Sequence, residues 1–223
     1  MNAIKENTVK AENQMINSSE LSFLGNKDAK TKILVVGNSI TRHGPLKEIG
    51  WERDWGMAAS APEKDFVHRL YAKITESGKD AYMRIRQCAF WERNYLTDGI
   101  LDNYDAERNF KADIVIFRLG ENVAESDKPF FKENAEKFIR HISGNGKVIM
   151  TTCFWKNEIV DDGIRKIAKE NGYPLIELGD LGDDPEMKAT GLFWHSGVAA
   201  HPGDKGMEEI SARIYVAVKG EIK

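Results

Sequence analysis

Residues 32–41, KILVVGNSIT, decide the fold that this sequence predicts. The apolar run from Ile33 to Val36 is uninterrupted, as in a strand that is buried on both faces of a parallel sheet. Gly37 ends the run, and polar residues follow where a strand gives way to a loop. Open α/β sheets hold their functional groups at the carboxyl ends of their strands. The stretch therefore predicts both a central strand and a place to look for chemistry.

Further apolar stretches follow this strand at intervals that leave room for helices. The candidate strands are residues 81–88, 112–120, 147–153 and 173–178. Helical periodicity marks residues 66–74, behind a Ser60–Glu63 capping box, and residues 131–142, 161–169 and 204–218. Alternating strands and helices predict right-handed βαβ units. We therefore expect an α/β fold: a three-layer α/β/α sandwich around a five-stranded parallel sheet, flavodoxin-like, with strand order 2-1-3-4-5.

Two segments of the chain depart from this regular pattern. The second candidate strand alternates Arg84 and Arg86 with apolar residues, which is typical of an edge strand with one face in solvent. Residues 1–30 are rich in Asn, Lys, Glu and Ser and have no periodicity. They predict a flexible N-terminal arm ahead of a single domain over residues 31–223.

Composition and charge argue against several classes of protein. The 223 residues carry 32 basic and 35 acidic side chains, a net charge of −3 without runs of like charge, so nucleic acid is not an expected partner. No apolar stretch approaches the ~20 residues of a membrane span, and the N-terminus lacks the apolar core of a secretory signal. We therefore expect a cytoplasmic protein without a membrane partner. Cys88 and Cys153 are expected to be free and buried.

Three polar residues should meet at the carboxyl edge of the predicted sheet. Ser39 follows the first strand, Asn122 follows the third, and His201 comes just before the last helix. A neutral imidazole can take the proton of a serine hydroxyl, and an amide together with the Ser39 N–H can stabilise the resulting oxyanion. Each residue alone could be a turn or cap residue, but the three together favour a nucleophilic site. His195 has no acid or cysteine at ligand spacing, so we expect neither a metal site nor a cofactor.

The sequence around these residues resembles the SGNH hydrolases, the GDSL-like lipase and acylhydrolase superfamily, over residues 32–218. VVGNSITRHG resembles the G-D-S-[LI] block, FRLGENV the G-x-N-D block, and HSGVAAHPGDKGM the D-x-x-H-P block. The resemblance implies that Ser39 is the nucleophile, Asn122 an oxyanion donor and His201 the catalytic base. Trp91 stands near the place of the family's second oxyanion residue, a glycine, and we assign its backbone N–H to that role.

The acid that the family pattern places before the catalytic histidine is missing. Val198 stands three residues before His201, and Asn38 and Val123 replace the acids of the other two blocks. The imidazole must then rest on a backbone carbonyl of residues 194–198 or on a carboxylate from elsewhere. The candidate acids are Asp180, Asp183, Asp184 and Glu92. We favour the carbonyl, and expect neutralising any one acid to lower kcat/KM by less than about tenfold, against ~10⁴ for a triad acid.

All five tryptophans lie close to predicted strand ends at this edge: Trp51, Trp55, Trp91, Trp155 and Trp194. Indole faces suit the C–H faces of sugar rings, although a single tryptophan more often anchors a loop by burial. We expect at least three of the rings to line one cavity with the Ser39 hydroxyl. The residues assigned to substrate binding are Trp51, Trp55 and Trp194.

The resemblance and the polar site together predict a serine esterase. It would remove a short acyl group, expected to be acetyl, from a carbohydrate or another polar alcohol through an acyl-enzyme on Ser39. The expected partner is thus a small-molecule or glycan ester. The missing acid leaves open a catalytically weak or inactive relative that binds glycan. An acyltransferase, a thioesterase or a lysophospholipase would use the same residues on another acceptor or ester.

Overall fold

A computed structural model describes residues 21–223 of the chain, and in this range six strands form one sheet. The strands are β1 (Leu21–Leu24), β2 (Lys32–Gly37), β3 (Tyr82–Gln87), β4 (Ile114–Arg118), β5 (Lys147–Thr151) and β6 (Leu175–Ile176). Their order across the sheet is β1-β3-β2-β4-β5-β6. Strands β2 to β6 are parallel, and β1 runs antiparallel to β3. The five parallel strands have the predicted order, so the predicted α/β fold is confirmed, but the sheet has six strands rather than five because β1 adds an antiparallel one.

Helices cover both faces of this sheet. In the described range they are α1 (Phe66–Glu76), α2 (Ala89–Asn94), α3 (Asp105–Phe110), α4 (Phe131–Ser143), α5 (Glu158–Asn171), α6 (Gly179–Asp183), α7 (Ser196–Ala199) and α8 (Asp204–Val218). Short 3₁₀ helices occupy residues 47–49, 62–64, 100–104, 128–130 and 185–187. The apolar residues of α1 and α8 pack on one face of the sheet, and those of α4 and α5 pack on the other. The chain thus forms the three predicted layers.

Strand β2 lies inside the sheet and is buried on both faces. Leu34 and Val36 face the core under α4 and α5, and Ile33 and Val35 face the core under α1 and α8. One apolar run therefore supplies two cores, because successive side chains of a strand point to opposite faces. The last residue of β2, Gly37, pairs with Gln87 of β3 and Arg118 of β4. Residues from position 38 onward therefore emerge in the middle of the carboxyl edge.

The prediction that the second strand is an edge is wrong. β3 lies between β1 and β2, and its Arg84 and Arg86 side chains are buried. Glu107 of α3, itself fully buried, accepts hydrogen bonds from Arg84 at 2.9 and 2.6 Å and lies 3.8 Å from Arg86. A guanidinium removed from water needs such a partner, because an unpaired buried charge is strongly unfavourable. The alternating arginines thus mark a buried ion pair rather than a solvated face.

The domain begins earlier than predicted. Residues 21–24, which fall within the predicted flexible arm, form β1 and pair antiparallel with β3 along their whole length. Phe23 stacks on Tyr82 with ring centroids 5.3 Å apart. The prediction for residues 1–30 is therefore corrected over this stretch, and residues 1–20 lie outside the described residues.

Two helix starts also differ from the predicted ones. Asp65 rather than Ser60 caps α1, because its side chain accepts the His68 N–H at 2.8 Å. Ser60 instead bonds to Asp204, the first residue of α8. Helix α5 starts at residue 158 rather than 161, behind an Asn157 cap. The capping box was thus assigned to the wrong residues, although both helices exist where periodicity predicts them.

Candidate active site

Ser39 lies in the turn that follows β2, where it is half-buried. The turn is tight, and the carbonyl of Asn38 accepts the Thr41 N–H at 2.9 Å. Gly37 is required at the strand end, since a Cβ there would come within 1.8 Å of Thr41 Oγ1. The Ser39 hydroxyl oxygen lies 2.8 Å from Nε2 of His201, which is hydrogen-bond distance. The fold therefore brings together two residues that are 162 positions apart in the chain.

His201 is held by a neutral backbone group. Its Nδ1 lies 2.7 Å from the carbonyl oxygen of Gly197 in α7. Because a carbonyl can only accept, Nδ1 carries the proton and Nε2 is the acceptor that faces Ser39. The His201 N–H donates to Val198 O at 3.0 Å, which leaves the Gly197 carbonyl to the imidazole. The expected partner, a carbonyl from residues 194–198, agrees with this contact.

Burial lowers the pKa of His201 to about 4, because desolvation disfavours the imidazolium. The Gly197 hydrogen bond opposes this shift of the pKa, and the charges of His43 and Arg118 add to it. Trp155 packs against the imidazole edge-on, with ring centroids 4.9 Å apart. His201 is therefore a neutral base at physiological pH.

Asn122 has its side-chain amide held at both ends. Its Nδ2 donates to Glu92 Oε2 at 2.6 Å, and its Oδ1 accepts from Arg93 Nη2 at 3.0 Å. An amide between a carboxylate and a guanidinium has one favourable orientation, with its nitrogen towards the acid. The second hydrogen on Nδ2 can then donate to a ligand in the cavity that Asn122 lines.

A buried polar network supports the Glu92 carboxylate. Its Oε1 accepts from the Gly120 N–H at 2.6 Å and from Asn38 Nδ2 at 3.1 Å. Asn38 also donates to Glu121 and accepts from Arg118 at 2.8 Å, and Arg118 forms an ion pair with Glu121. A second carboxylate, Glu121, and its partner Arg118 are thus linked to Glu92 through the Asn38 amide. An aspartate at position 38 would add a third carboxylate to this group, and asparagine avoids that charge while bonding to both acids.

The electrostatics of this network follow from its burial. Burial raises the pKa of Glu92, and the neighbouring charge of Glu121 raises it further. The hydrogen bonds that the Glu92 carboxylate accepts act in the opposite direction, since they favour the charged form. Burial likewise raises the pKa of the Cys153 thiol well above its ordinary value, with Glu121 contributing. Cys88 and Cys153 are buried thiols, as predicted.

A cavity of about 290 Å³ opens over Ser39. Its lining brings together Ser39, Asn122 and His201, which are the three residues singled out from the sequence. The apolar side chains in the lining are Leu46, Ile49, Met57, Ala89 and Val198. The other polar ones are His43, Gln87, Arg93 and His195. A nucleophile, a neutral base and an amide donor thus face one small, partly apolar space.

The prediction that tryptophans line this cavity is wrong, since none of the five is among its lining residues. Trp51 is 2% exposed, packs against Trp55 with ring centroids 6.0 Å apart and donates to the His43 carbonyl at 3.0 Å. These two rings fill the space under the long loop after β2 and do not reach the substrate space. Trp194 is 75% exposed and stands next to His195, which does line the cavity.

Trp91, whose backbone N–H is assigned to the oxyanion site, is also absent from the residues that line the cavity over Ser39. The Trp91 ring is fully buried and stacks on Phe138 of α4, with ring centroids 4.5 Å apart. The segment after β3 is a helix rather than a loop, and this helix, α2, directs Trp91 into the core. Ala89, its first residue, lines the cavity instead.

The four acids considered as partners of His201 bond elsewhere. Asp180, Asp183 and Asp184 bond to Arg213, Lys156 and the Glu186 N–H, respectively. Glu92 bonds to Asn122, on the oxyanion side of Ser39. Sequence reasoning missed this role of Glu92 and the pairing of Glu121. A signal was present for Glu121, which directly follows a predicted strand, but Glu92 lies four residues after another one and turns inward because of α2.

Other features of the described chain offer less chemistry. Among residues 21–223, no three His, Cys, Asp or Glu side chains gather as metal ligands would, and no helix has the length and apolarity that crossing a bilayer needs. A larger cavity, of about 800 Å³, lies where β4 and β5 begin, and its described lining includes no histidine. The site around Ser39 pairs a nucleophile with a base.

Comparison with known proteins gives matches in structure. No protein-family model and no curated protein sequence matches this chain. The psychrotrophic esterase EstA from Pseudoalteromonas sp., in a structure inhibited by monoethylphosphonate, is similar with a TM-score of 0.54 at 13% identity, over 86% of this chain and 98% of that chain. A protein from Bacteroides uniformis designated a GDSL-like lipase is similar with a TM-score of 0.54 at 14% identity, over 86% of this chain and 97% of that one.

A third similar structure is an active-site mutant of a family two carbohydrate esterase from Clostridium thermocellum. Its TM-score is 0.55 at 13% identity, over 87% of this chain and 65% of that chain. Identities this low concern the path of the chain and not its substrate. The three matches cover most of the chain and agree on one fold.

Proposed function

We propose that this protein, which has the fold of the SGNH hydrolases, the GDSL-like lipases and esterases, is a serine esterase. The observation that carries the proposal is the sequence of contacts from Ser39 Oγ to His201 Nε2 at 2.8 Å and from His201 Nδ1 to the Gly197 carbonyl at 2.7 Å. This arrangement activates a hydroxyl as a nucleophile without an acid. Asn122 lines the same cavity as the donor that an oxyanion needs.

The reaction takes place in two halves. His201 Nε2 accepts the Ser39 hydroxyl proton as Ser39 Oγ attacks the ester carbonyl carbon, and the carbonyl oxygen becomes an oxyanion. Asn122 Nδ2 and the backbone N–H of Ser39 donate to that oxyanion. The tetrahedral species collapses, the alcohol leaves with the proton from His201, and an acyl ester remains on Ser39. A water molecule, deprotonated by His201, then attacks this acyl ester; the bond to Ser39 Oγ breaks, the acid leaves, and His201 returns the proton to Ser39 Oγ.

The orientation of the oxyanion donor depends on α2. Glu92 and Arg93 are consecutive residues of this helix, and they hold the two ends of the Asn122 amide. A free amide could turn its oxygen towards the oxyanion, where like charges repel. The fixed amide instead presents an N–H before the reaction starts. Such preorganised donors are each worth ~10² to 10³ in rate.

The substrate that the cavity favours is small at its acyl end. A volume of about 290 Å³ with five apolar side chains suits a short acyl group such as acetyl better than a long alkyl chain. The alcohol we propose is a carbohydrate or a comparable polar alcohol. Support comes from the exposed Trp194 ring beside the cavity and from the carbohydrate esterase among the similar structures.

An active-site phosphonate probe tests this function. We expect a fluorophosphonate to label the wild-type protein at Ser39, as located by mass spectrometry, and 4-nitrophenyl acetate to be hydrolysed. Ser39→Ala should abolish labelling and lower turnover by ~10⁶. Ser126→Ala is the matched control, because Ser126 is exposed and bonds to Asp127. Labelling at another serine, or ester turnover that survives Ser39→Ala, would reject the proposal.

A further inference from the structure

The cavity over Ser39 has an uneven charge. Arg93 is the permanently charged side chain among its described lining residues, and none of those residues is a carboxylate. The Glu92 carboxylate belongs to the buried network and is not part of the lining. A substrate entering this space therefore meets one guanidinium and otherwise apolar, hydroxyl, amide and imidazole groups.

The bonding of Arg93 differs from that of other arginines in the described chain. Arg118, Arg165 and Arg213 each pair with a carboxylate. Arg93 is exposed, and its hydrogen bond at 3.0 Å goes to the neutral Oδ1 of Asn122. A guanidinium has five N–H donors in a planar fork, so this contact leaves donors for a second group.

The position of Arg93 places its charge near the reacting atoms. It contacts Asn122, the amide that we assign to the oxyanion, so one side chain separates the guanidinium from the developing negative charge. The charge of Arg93 also affects His43, another lining residue. Burial lowers the pKa of His43, and the hydrogen bond to the Gly44 carbonyl opposes this shift. The positive charge of Arg93 lowers the pKa further. The guanidinium thus acts on the cavity as well as on Asn122.

We propose that the ester hydrolysed at this site carries an anionic group, a carboxylate or similar oxyanion, that pairs with Arg93. The inference rests on the proposed esterase function and adds a substrate class to it. A guanidinium recognises a carboxylate in a bidentate manner, and an acid-free cavity lets the pairing form without a competing protein anion. The anionic group lies on either the acyl or the alcohol side of the ester, within reach of Arg93.

Two pairs of esters test this specificity and distinguish the two sides. Monomethyl succinate against methyl butyrate places the charge on the acyl side, and 3-acetoxybenzoate against its methyl ester places it on the alcohol side. Hydrolysis is followed by pH-stat titration at pH 7. We expect the wild-type kcat/KM to favour the anionic member of at least one pair by ~10- to 100-fold, the effect of one charge-assisted contact.

Substitution of Arg93 distinguishes two roles of its side chain: binding the anionic group of the substrate and holding the Asn122 amide. Arg93→Gln should remove the preference and raise KM for the anionic ester far more than for its neutral partner, and Arg93→Glu should reverse the preference. Arg53→Gln is the matched control, because Arg53 is an exposed arginine over the Trp55 ring and does not line the cavity. An equal loss for both members of each pair, or a wild-type protein without preference, would overturn the inference.

Binding to a protein that cannot turn over makes the result independent of the proposed function. In the Ser39→Ala background, we expect calorimetry to show tighter binding of 3-acetoxybenzoate than of its methyl ester, and Arg93→Gln to abolish the difference. If Ser39-dependent hydrolysis is absent but this difference is present, the esterase proposal is wrong and Arg93 is an anion site. If hydrolysis is present and the difference is absent, only the anion inference is wrong.

Discussion

The two sides of Ser39 are built from opposite kinds of chemistry. On the base side, Nδ1 of His201 donates a hydrogen bond to the neutral carbonyl of Gly197. On the oxyanion side, the Asn122 amide donates a hydrogen bond to Glu92. Glu92 belongs to a buried network that also contains the Glu121 carboxylate and the Arg118 guanidinium. The sequence pattern of the resembling family has its acid on the first side. Here the buried charges lie on the second side.

This difference indicates what each side needs from its support. An imidazole has two similar nitrogens, and any acceptor behind one of them selects the tautomer that leaves the other free. An amide has two unlike ends, and only partners of opposite character fix which end faces the cavity. A carbonyl is therefore sufficient behind His201, whereas Asn122 requires both a carboxylate and a donor. The following changes test that division.

Removing the base should have the largest effect. His201→Gln leaves Ser39 without a proton acceptor, and we expect kcat for 4-nitrophenyl acetate to fall by ~10⁵ to 10⁶ while the protein stays folded. Initial rates and a thermal melting curve are the measurements. A fall of less than a hundredfold would show that another group deprotonates Ser39.

Removing the charge behind Asn122 should have the next largest effect. Both Glu92 oxygens accept hydrogen bonds, one from Asn122 Nδ2 and the other from the Gly120 N–H. In Glu92→Gln one of these oxygens becomes an NH₂ group, which is a donor. In either orientation of the new amide, this NH₂ therefore faces another donor and one hydrogen bond is lost. We expect kcat to fall by ~10² to 10³ with KM little changed, as for the loss of an oxyanion donor. From the sequence alone we expected Glu92→Gln to lower kcat/KM by less than about tenfold. The contact with Asn122 leads us to expect this larger loss instead.

A second buried carboxylate serves as the control for Glu92→Gln. Glu107 is also fully buried and pairs with Arg84 of β3. Glu107→Gln should lower the melting temperature but leave kcat unchanged, since α3 does not contribute to the cavity. If both variants lose stability and kcat in parallel, Glu92 acts through folding alone and the two sides of Ser39 do not differ in the way described.

The pH profile measures the base side directly. His201 must be neutral to accept the Ser39 proton, and its pKa is lowered to about 4. Activity should therefore be full above pH ~5.5 and fall as the pH drops through about 4. An imidazole with the ordinary pKa of ~6.5 would lose about tenfold in kcat/KM by pH 5.5. An inflection of kcat/KM near 6.5 would show that His201 is more solvated than described.

Removing the three acids that follow β6 should have the smallest effect. Asp180→Asn, Asp183→Asn and Asp184→Asn break contacts with Arg213, Lys156 and the Glu186 N–H. We expect each to lower kcat/KM by less than about tenfold, because none supports His201. A thousandfold loss in a folded variant would identify that residue as a third catalytic group and remove the contrast between the two sides.

The positions of the parallel strands and the three polar residues of the site could be predicted from the sequence because both follow from local patterns. Alternation, apolar runs and polar strand ends are readable within a few residues. The hydrogen-bond partners that hold these residues in place could not be predicted from local patterns. Glu107 reaches Arg84 from 23 positions away and Glu92 reaches Asn122 from 30, so the burial of these charges depends on where α2 and α3 pack. Trp91 was misplaced for the same reason.

The Gly197 carbonyl gives this protein an unusual mutational signature. A side-chain partner of a catalytic histidine can be deleted by one codon change, but a main-chain oxygen is present whatever residue occupies the position. A saturating mutational scan of activity would therefore report a pair, Ser39 and His201, with no third position of comparable sensitivity. The third group is encoded by the path of the backbone through residues 195–201, and insertions, deletions or proline in that heptapeptide would displace it.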